Sequence, residues 1–295
     1  MAGSDQLRLQ LTVFAVVSAS FTNIYITQPV LPVLRQEFGA DMVTVSFSVS
    51  AVILGIALSN LPFGYVADRW PIRPVLFVGG VMVALCGVVC ALTHDLLILI
   101  GARFVQGLFI PALTTCIAAY LSKTLPLERL NVVMGAYVSA TVAGGLGGRL
   151  LGGLIHPPLH WRYAFITAAV LILSATAVAL MVLPRETHPR SVEDKSFGVW
   201  KMLGRRDLLR IFFCAAGAFG IFSSVFNYLP FHLTEPPFSL PTQRITLLYL
   251  VYVVGIFIGP AAGRIGNRFG PGPTLTHGSL ILGVSLLVLL ISNVA

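Results

Sequence analysis

Residues 64–74 read Gly64-Tyr-Val-Ala-Asp68-Arg69-Trp-Pro-Ile-Arg73-Pro74, and a second stretch, Gly263-Arg-Ile-Gly-Asn267-Arg268-Phe-Gly-Pro-Gly-Pro273, repeats that plan about 199 residues later. The spacing returns elsewhere. Phe21-Thr-Asn-Ile-Tyr-Ile-Thr-Gln-Pro29 aligns with Phe222-Ser-Ser-Val-Phe-Asn-Tyr-Leu-Pro230 at an offset of about 201. Two separate stretches that agree on one offset define an internal repeat. Both copies of the charged stretch sit in short breaks between long apolar runs, so the repeating unit is a set of apolar helices. Parallel repeats of this kind build two-bundle membrane transporters.

A spanning helix needs about 20 mostly apolar residues. Nine stretches qualify: 11–33, 43–66, 74–93, 96–122, 130–155, 162–183, 208–231, 245–266 and 274–293. Six of them fill the first copy of the repeat. The second copy stops after its third helix, so the chain ends early relative to its own repeat. The expected fold is all-α and integral to the membrane. It has a six-helix N-terminal bundle over 1–183, a cytoplasmic linker over 184–207 and a partial C-terminal bundle of three helices over 208–295.

Composition excludes the main alternatives. Of 295 residues, 56% are hydrophobic and only 10% charged, against about 25% charged in a soluble domain. The mean hydropathy is +0.89. A soluble enzyme, a nucleic-acid binder and a disordered chain are all ruled out, and the surface belongs in lipid. The formal net charge of +8 is a topology signal. With the N-terminus inside, fourteen Lys and Arg fall in inner segments and three (Arg35, Arg162, Arg244) in outer ones, while Arg103 and Arg149 lie within spans. The positive-inside rule therefore places the N-terminus in the cytoplasm. Cys86, Cys90, Cys116 and Cys214 all lie in apolar runs without a metal-type cluster beside them and read as packing. The first apolar stretch is too long for the core of a cleavable signal.

These residues carry a family resemblance. Gly64-x-x-x-Asp68-Arg69-x-x-x-Arg73 resembles the signature loop of the major facilitator superfamily. Arg103-x-x-Gln106-Gly107 is similar to its second motif, and Trp161-Arg162 opens the sixth helix as in many members. Tyr25-x-x-Gln28-Pro29 together with Gly144-Gly-Leu-Gly-Gly-Arg149 resembles the drug and metabolite efflux permeases, among them the bacterial acriflavine-sensitivity-type proteins of the inner membrane. Pro71 and Ile72 depart from the usual Gly and basic residue, Asn267 replaces the second-copy Asp, and Gly144-Gly145 stands where antiporters carry Gly-Pro.

Several residues are marked for function. Asp68, Arg69 and Arg73 in a short inner loop either anchor the topology or latch and release neighbouring helices; the resemblance implies a conformational gate formed by Gly64, Asp68, Arg69, Arg73 and, in the second copy, Asn267 and Arg268. A charge within a span is costly and faces the bundle interior or a wet cavity. Arg103 lies about eight residues past Asp95, or ~12 Å below the outer boundary, with Gln106 on the same face. No Asp or Glu lies in the middle of a span. Both arginines are therefore left to bond backbone carbonyls or amide side chains, to attract an anionic substrate, or to pair with an acid outside this chain. Arg149, nearer the outer boundary, also has the option of snorkelling. The resemblance implies that Arg103 couples proton movement to conformational change.

Ser20, Asn23 and Thr27 form a polar stripe on the first helix, and Ser224 and Tyr228, with Asn227 beside them, form its counterpart on the seventh. Such stripes either hold helices together or line a central cavity, where Asn23, Thr27, Gln28, Gln106, Arg149, Ser224, Asn227 and Tyr228 would meet substrate. Gly144, Gly148 and Gly152 repeat every four residues and permit close helix approach.

No nucleotide-binding, metal or nucleophile motif is present, so enzyme chemistry has no residues to carry it. The expected activity is secondary transport of small organic molecules by alternating access. Proton-linked efflux across a bacterial inner membrane is what the resemblance implies, with a proton gradient and no bound cofactor. An importer or facilitator of an anionic metabolite is the alternative within transport. A truncated, transport-dead membrane protein is the alternative outside it. The expected partners are a small-molecule substrate and the lipid bilayer, and no nucleic acid.

Overall fold

The computed structural model describes residues 3–183, 205–254 and 268–292, and every regular element among them is helical. Seven of these helices are long and apolar enough to cross a membrane: Leu7–Phe38, Met42–Arg69, Ile72–Leu92, Leu96–Thr124, Val133–Ile155, Arg162–Val182 and Leu208–Thr234. Two further apolar helices are described over Thr242–Val254 and Gly272–Val288. The second half of the expected eighth span, most of the linker and Asn267 lie outside the described residues.

Two of the spans are interrupted, each close to a proline. The first consists of α1 (Gly3–Tyr25), a single 3-10 turn at Gln28–Val30 and α2 (Leu31–Phe38). Pro29 offers no N–H and crowds the preceding turn, while Pro32 sits in the first turn of α2, where a missing N–H leaves nothing unpaired. α2 then ends at Gly39, whose φ of +58° is one that glycine adopts without strain. α3 (Met42–Arg69) and α4 (Ile72–Leu92) follow. The fourth span divides into α5 (Leu96–Leu113) and α6 (Thr115–Thr124), with Pro111 in the last turn of α5. The remaining elements are α7 (Leu127–Ile155), α8 (Arg162–Val182), α9 (Arg206–Thr234), α10 (Thr242–Leu248) and α11 (Pro271–Ser292). Asp41 and Asp95 cap α3 and α5, each accepting from two backbone N–H groups of its helix.

Packing between helices is set by glycine. A Cβ on Gly144, Gly148 or Gly152 of α7 would sit 2.3, 2.3 or 1.9 Å from the carbonyl oxygens of Ser18, Thr22 and Ile26. The backbones of α1 and α7 therefore touch along the stripe seen in the sequence. Gly55 of α3 and Gly107 of α5 meet the facing backbone in the same way. The Ser18 and Thr22 hydroxyls donate to the Ala140 and Gly144 carbonyls across that seam. Such contacts replace the hydrophobic drive that lipid does not supply.

Side chains away from these seams are apolar and exposed. Leu54, Leu58, Leu61, Phe77, Leu85, Leu97 and Met181 are each more than half exposed, a surface that water would not tolerate but a bilayer does. The chain divides into two compact units, Met1–Phe197 with Ser224–Tyr249, and Gly198–Ser223 with Leu250–Ala295. In the second unit Phe222 packs on Phe219 and Tyr252. The candidate site below belongs to the first.

Candidate functional site

Arg103 is fully buried, and its location follows from the break in the first span. A helix that stops leaves its last carbonyls without intrahelical donors. In a membrane those carbonyls must find donors within the protein. Arg103 reaches from α5 to supply them, donating through Nη1 to the Asn23 carbonyl at 2.5 Å and through Nη2 to the Ile24 carbonyl at 2.5 Å. Its Nε donates to the Ser48 carbonyl of α3 at 2.9 Å. Nη1 also donates to Gln106 Oε1 at 2.5 Å, one turn along α5. The Gln106 amide then donates to Asn23 Oδ1 at 3.2 Å and to the Val83 carbonyl of α4 at 3.0 Å. One guanidinium thus ties together α1, α3 and α5, and Gln106 adds α4. Of the partners the sequence left open, Arg103 takes carbonyls and an amide.

Arg149 forms a second centre. It is 1% exposed, so it does not snorkel to the membrane surface. Nε donates to Gln28 Oε1 at 2.7 Å, and Nη1 to the Gly145 carbonyl one turn earlier at 2.8 Å. The Gln28 amide in turn donates to Asn227 Oδ1 of α9 at 2.5 Å. The guanidinium carbon lies 3.9 Å from the Tyr25 ring centroid, 5.5 Å from that of Tyr249 and 6.0 Å from that of Phe226, an aromatic setting that favours a cation. The Tyr249 hydroxyl donates to the Phe226 carbonyl. Gly153 of α7 lies against Thr246 of α10, where a Cβ would come within 1.8 Å of the hydroxyl oxygen.

The predicted cavity residues are therefore sorted into two groups. Asn23 and Gln106 join Arg103, and Gln28 and Asn227 join Arg149. Thr27 is fully buried, and its hydroxyl has no hydrogen-bond partner among the described residues. Ser224 and Tyr228 do not join either group and are exposed. The buried residues of α9 include Asn227 and Phe231, four residues apart, with Asn227 one residue removed from Tyr228 of the stripe read in the sequence. A rotation of about 100° per residue turns Tyr228 off that face, whereas Ser224, seven residues before Phe231, shares the face and is exposed further along the helix.

At the end carrying the 69–72 turn, Asp68 pairs with Lys123 of α6 at 2.6 Å, and Lys123 also donates to the Ala67 carbonyl. Arg69 stacks on Tyr65 at 3.5 Å, and Arg73 donates to the Leu183 carbonyl at the end of α8 at 3.3 Å. The turn thus reaches two other spans. Gly64 faces open space, Arg268 lies beside the Phe269 ring and is exposed, and Asn267 is outside the described residues. Lys123 read only as an inner positive charge in the sequence, because nothing local announces a partner 55 residues away.

The opposite end carries its own ion pairs. Arg35 meets Glu235 at 3.1 Å, joining α2 to the last residues after α9. Glu37 accepts from the Trp161 indole N–H and from Arg162 at 2.6 Å, while Arg162 also donates to the Thr93 carbonyl. Partial burial, followed by the nearby His160, pushes the His156 imidazole below its ordinary value, with Glu37 opposing. Cys86, Cys90 and Cys116 are buried in the apolar core. No cluster of metal-binding side chains occurs among the described residues.

Buried, charge-centred polar networks thus lie inside a multi-span apolar helical bundle. Comparison with known proteins gives the family: residues 13–295 match the model of the Major Facilitator Superfamily, and the chain belongs to it. It is 29% identical over 276 residues to the inner membrane transport protein YnfM of Escherichia coli (strain K12), covering 91% of this chain and 66% of the relative. It is 22% identical over 312 residues to the tetracenomycin C resistance and export protein of Streptomyces glaucescens, covering 86% of this chain and 58% of that one. The fold matches a bacterial homologue of the human lysosomal transporter Spinster, in an inward-facing and unoccupied conformation, with a TM-score of 0.74. That match has 14% identity and covers 92% of this chain and 64% of the other. The chain spans about two thirds of the length of several curated relatives that it matches.

Proposed function

We propose that this chain belongs to a secondary transporter that exports small organic molecules across a bacterial inner membrane in exchange for protons, by alternating access. The observation that carries the reading is the chain Arg149–Gln28–Asn227. It joins the first and seventh helices, the two copies of the repeat, through buried hydrogen bonds. Repeat-related helices that meet on polar side chains at membrane depth are where transporters of this architecture hold substrate. In this reading Asn23, Thr27, Gln28, Gln106, Arg149, Ser224, Asn227 and Tyr228 serve the substrate path. Arg103 serves coupling, because it grips the break in the first span and feels any movement there. Gly64, Asp68, Arg69 and Arg73, with Asn267 and Arg268, gate the cytoplasmic side, and Lys123 joins them as the partner of Asp68. Export is supported by the resistance and export role that one relative's name states, and inner-membrane placement by that of another. Charge bias places the N-terminus in the cytoplasm.

A second reading, import or facilitated passage of an anionic metabolite, is favoured by one observation: Arg103 and Arg149, the fully buried charges among the described residues of the spans, are both cations. Uptake of p-toluenesulfonate and of ethidium into inverted vesicles, with and without an imposed pH gradient, separates the two. Gradient-driven accumulation of either probe, abolished by a protonophore, supports export. Passage of the anion that ignores the gradient supports the second reading. Uptake equal to that of vesicles lacking the protein contradicts both.

A further inference from the structure

We infer that Arg149 is the receptor for the anionic head of an organic anion, and that an arriving carboxylate displaces Gln28 and thereby unlocks α9 from the 3-10 turn of the first span. The inference rests on the transport reading above and adds to it a substrate class and a trigger.

Arg149 donates to the Gln28 amide oxygen and to the Gly145 carbonyl, and its guanidinium lies over the Tyr25 ring. A carboxylate offers the same planar acceptor geometry as the Gln28 amide and adds the opposite charge. In a buried setting that charge is felt far more strongly than in water, and charge-assisted, bidentate pairing is the geometry a guanidinium favours. The rings of Tyr25, Phe226 and Tyr249 wall the same place. They suit an anion with an aromatic or short apolar body.

Gln28 is the bridge between the receptor and the helix contact. Its oxygen is polarised by Arg149 while its N–H donates to Asn227 at 2.5 Å. Bonds arranged in series strengthen one another, so a Gln28 displaced from Arg149 holds Asn227 less firmly. The polar contact that remains between this end of α2 and the segment after α9 is the Arg35–Glu235 pair, with side chains 42% and 56% exposed. An exposed pair of that kind holds two segments together only weakly. Anion binding therefore favours parting of α9 from the Gln28–Val30 turn through a stated difference in contacts, which is what a ligand needs in order to shift a conformational equilibrium.

The test uses the protein in nanodiscs with its native cysteines replaced and the pair Arg35→Cys and Glu235→Cys introduced. A short bifunctional thiosulfonate reads whether these ends are together. Benzoate, benzamide and benzylammonium serve as probes of equal size and different charge. Benzoate is expected to lower the cross-linking yield at least twofold, with benzamide and benzylammonium leaving it unchanged. Arg149→Gln is expected to abolish the response to benzoate, and Arg149→Lys, which keeps the charge, to retain it. A yield indifferent to benzoate, equally sensitive to benzamide, or still responsive in Arg149→Gln overturns the inference. If ethidium is transported while benzoate leaves the yield unchanged, the anion receptor falls and the transport reading stands. If no probe is transported and none alters the yield, both fall.

Discussion

Arg103 sits where a membrane helix stops bonding to itself, and its value is read most simply as the cost of its removal. Arg103→Ala leaves the Asn23, Ile24 and Ser48 carbonyls and Gln106 Oε1 without the donor they share. Each buried group so stranded costs about 1–3 kcal/mol. The variant is expected to lose several degrees in detergent thermal melting. Arg103→Lys is expected to recover part of that loss, because an ammonium has donors but not the planar fork. Equal melting of all three proteins would contradict this assignment.

His156 gives a residue-scale dependence on pH. Its folded value lies below the ordinary one through partial burial and then His160, so the folded state prefers the neutral ring. The associated stability is fully present above the unfolded value of about 6.5 and is lost as pH falls through the lower folded value. Melting midpoints of the native chain are expected to fall slightly more between pH 7.5 and pH 5 than those of His156→Gln. The difference is small because the imidazole is only partly shielded. A larger fall in His156→Gln would reverse the sign and refute the assignment. The sequence made Arg103 and Arg149 conspicuous, since a charge in an apolar run needs no structure to be noticed. Their partners were not legible, because backbone carbonyls carry no sequence signature and because the rotation of α9 decides between Asn227 and Tyr228.

At the scale of elements, two glycine seams and two proline breaks position everything else. Gly148→Ala and Gly152→Ala place a methyl carbon within 2.3 and 1.9 Å of the carbonyls of α1, so α1 and α7 must move apart. Overpacking of this order costs about 1–3 kcal/mol. Gly101, where nothing lies within 4 Å of the added carbon, is the control. Gly101→Ala is expected to be neutral or to stabilise by up to about 1 kcal/mol, since alanine loses less backbone entropy in a helix. Destabilisation of Gly101→Ala equal to that of Gly152→Ala, measured by thermal melting, would show that the seam is not what holds α7. The stripe of Gly144, Gly148 and Gly152 was visible as a four-residue period, whereas its partner helix was not. The prolines were visible too, yet what a break exposes becomes clear only once Arg103 is seen filling it.

For the whole molecule, orientation and alternation are the claims at stake. The proposed orientation, argued from charge bias, has the 156–161 loop outside and the 69–72 turn inside. In a background without native cysteines, Pro158→Cys is expected to react with a membrane-impermeant maleimide in intact cells, and Pro71→Cys only after permeabilisation. The opposite pattern would invert the topology. Hydropathy and the repeat made the bundle legible because a bilayer demands long apolar helices wherever a chain crosses it. The Arg35–Glu235, Glu37–Arg162 and Asp68–Lys123 pairs were not legible, since each joins residues brought together only by packing. The most direct measurement is probe uptake by the Arg35→Cys, Glu235→Cys protein, first cross-linked and then reduced. Alternating access predicts protein-dependent uptake of p-toluenesulfonate or ethidium that is absent when positions 35 and 235 are joined and restored on reduction. Equal uptake in the joined and separated states would contradict it.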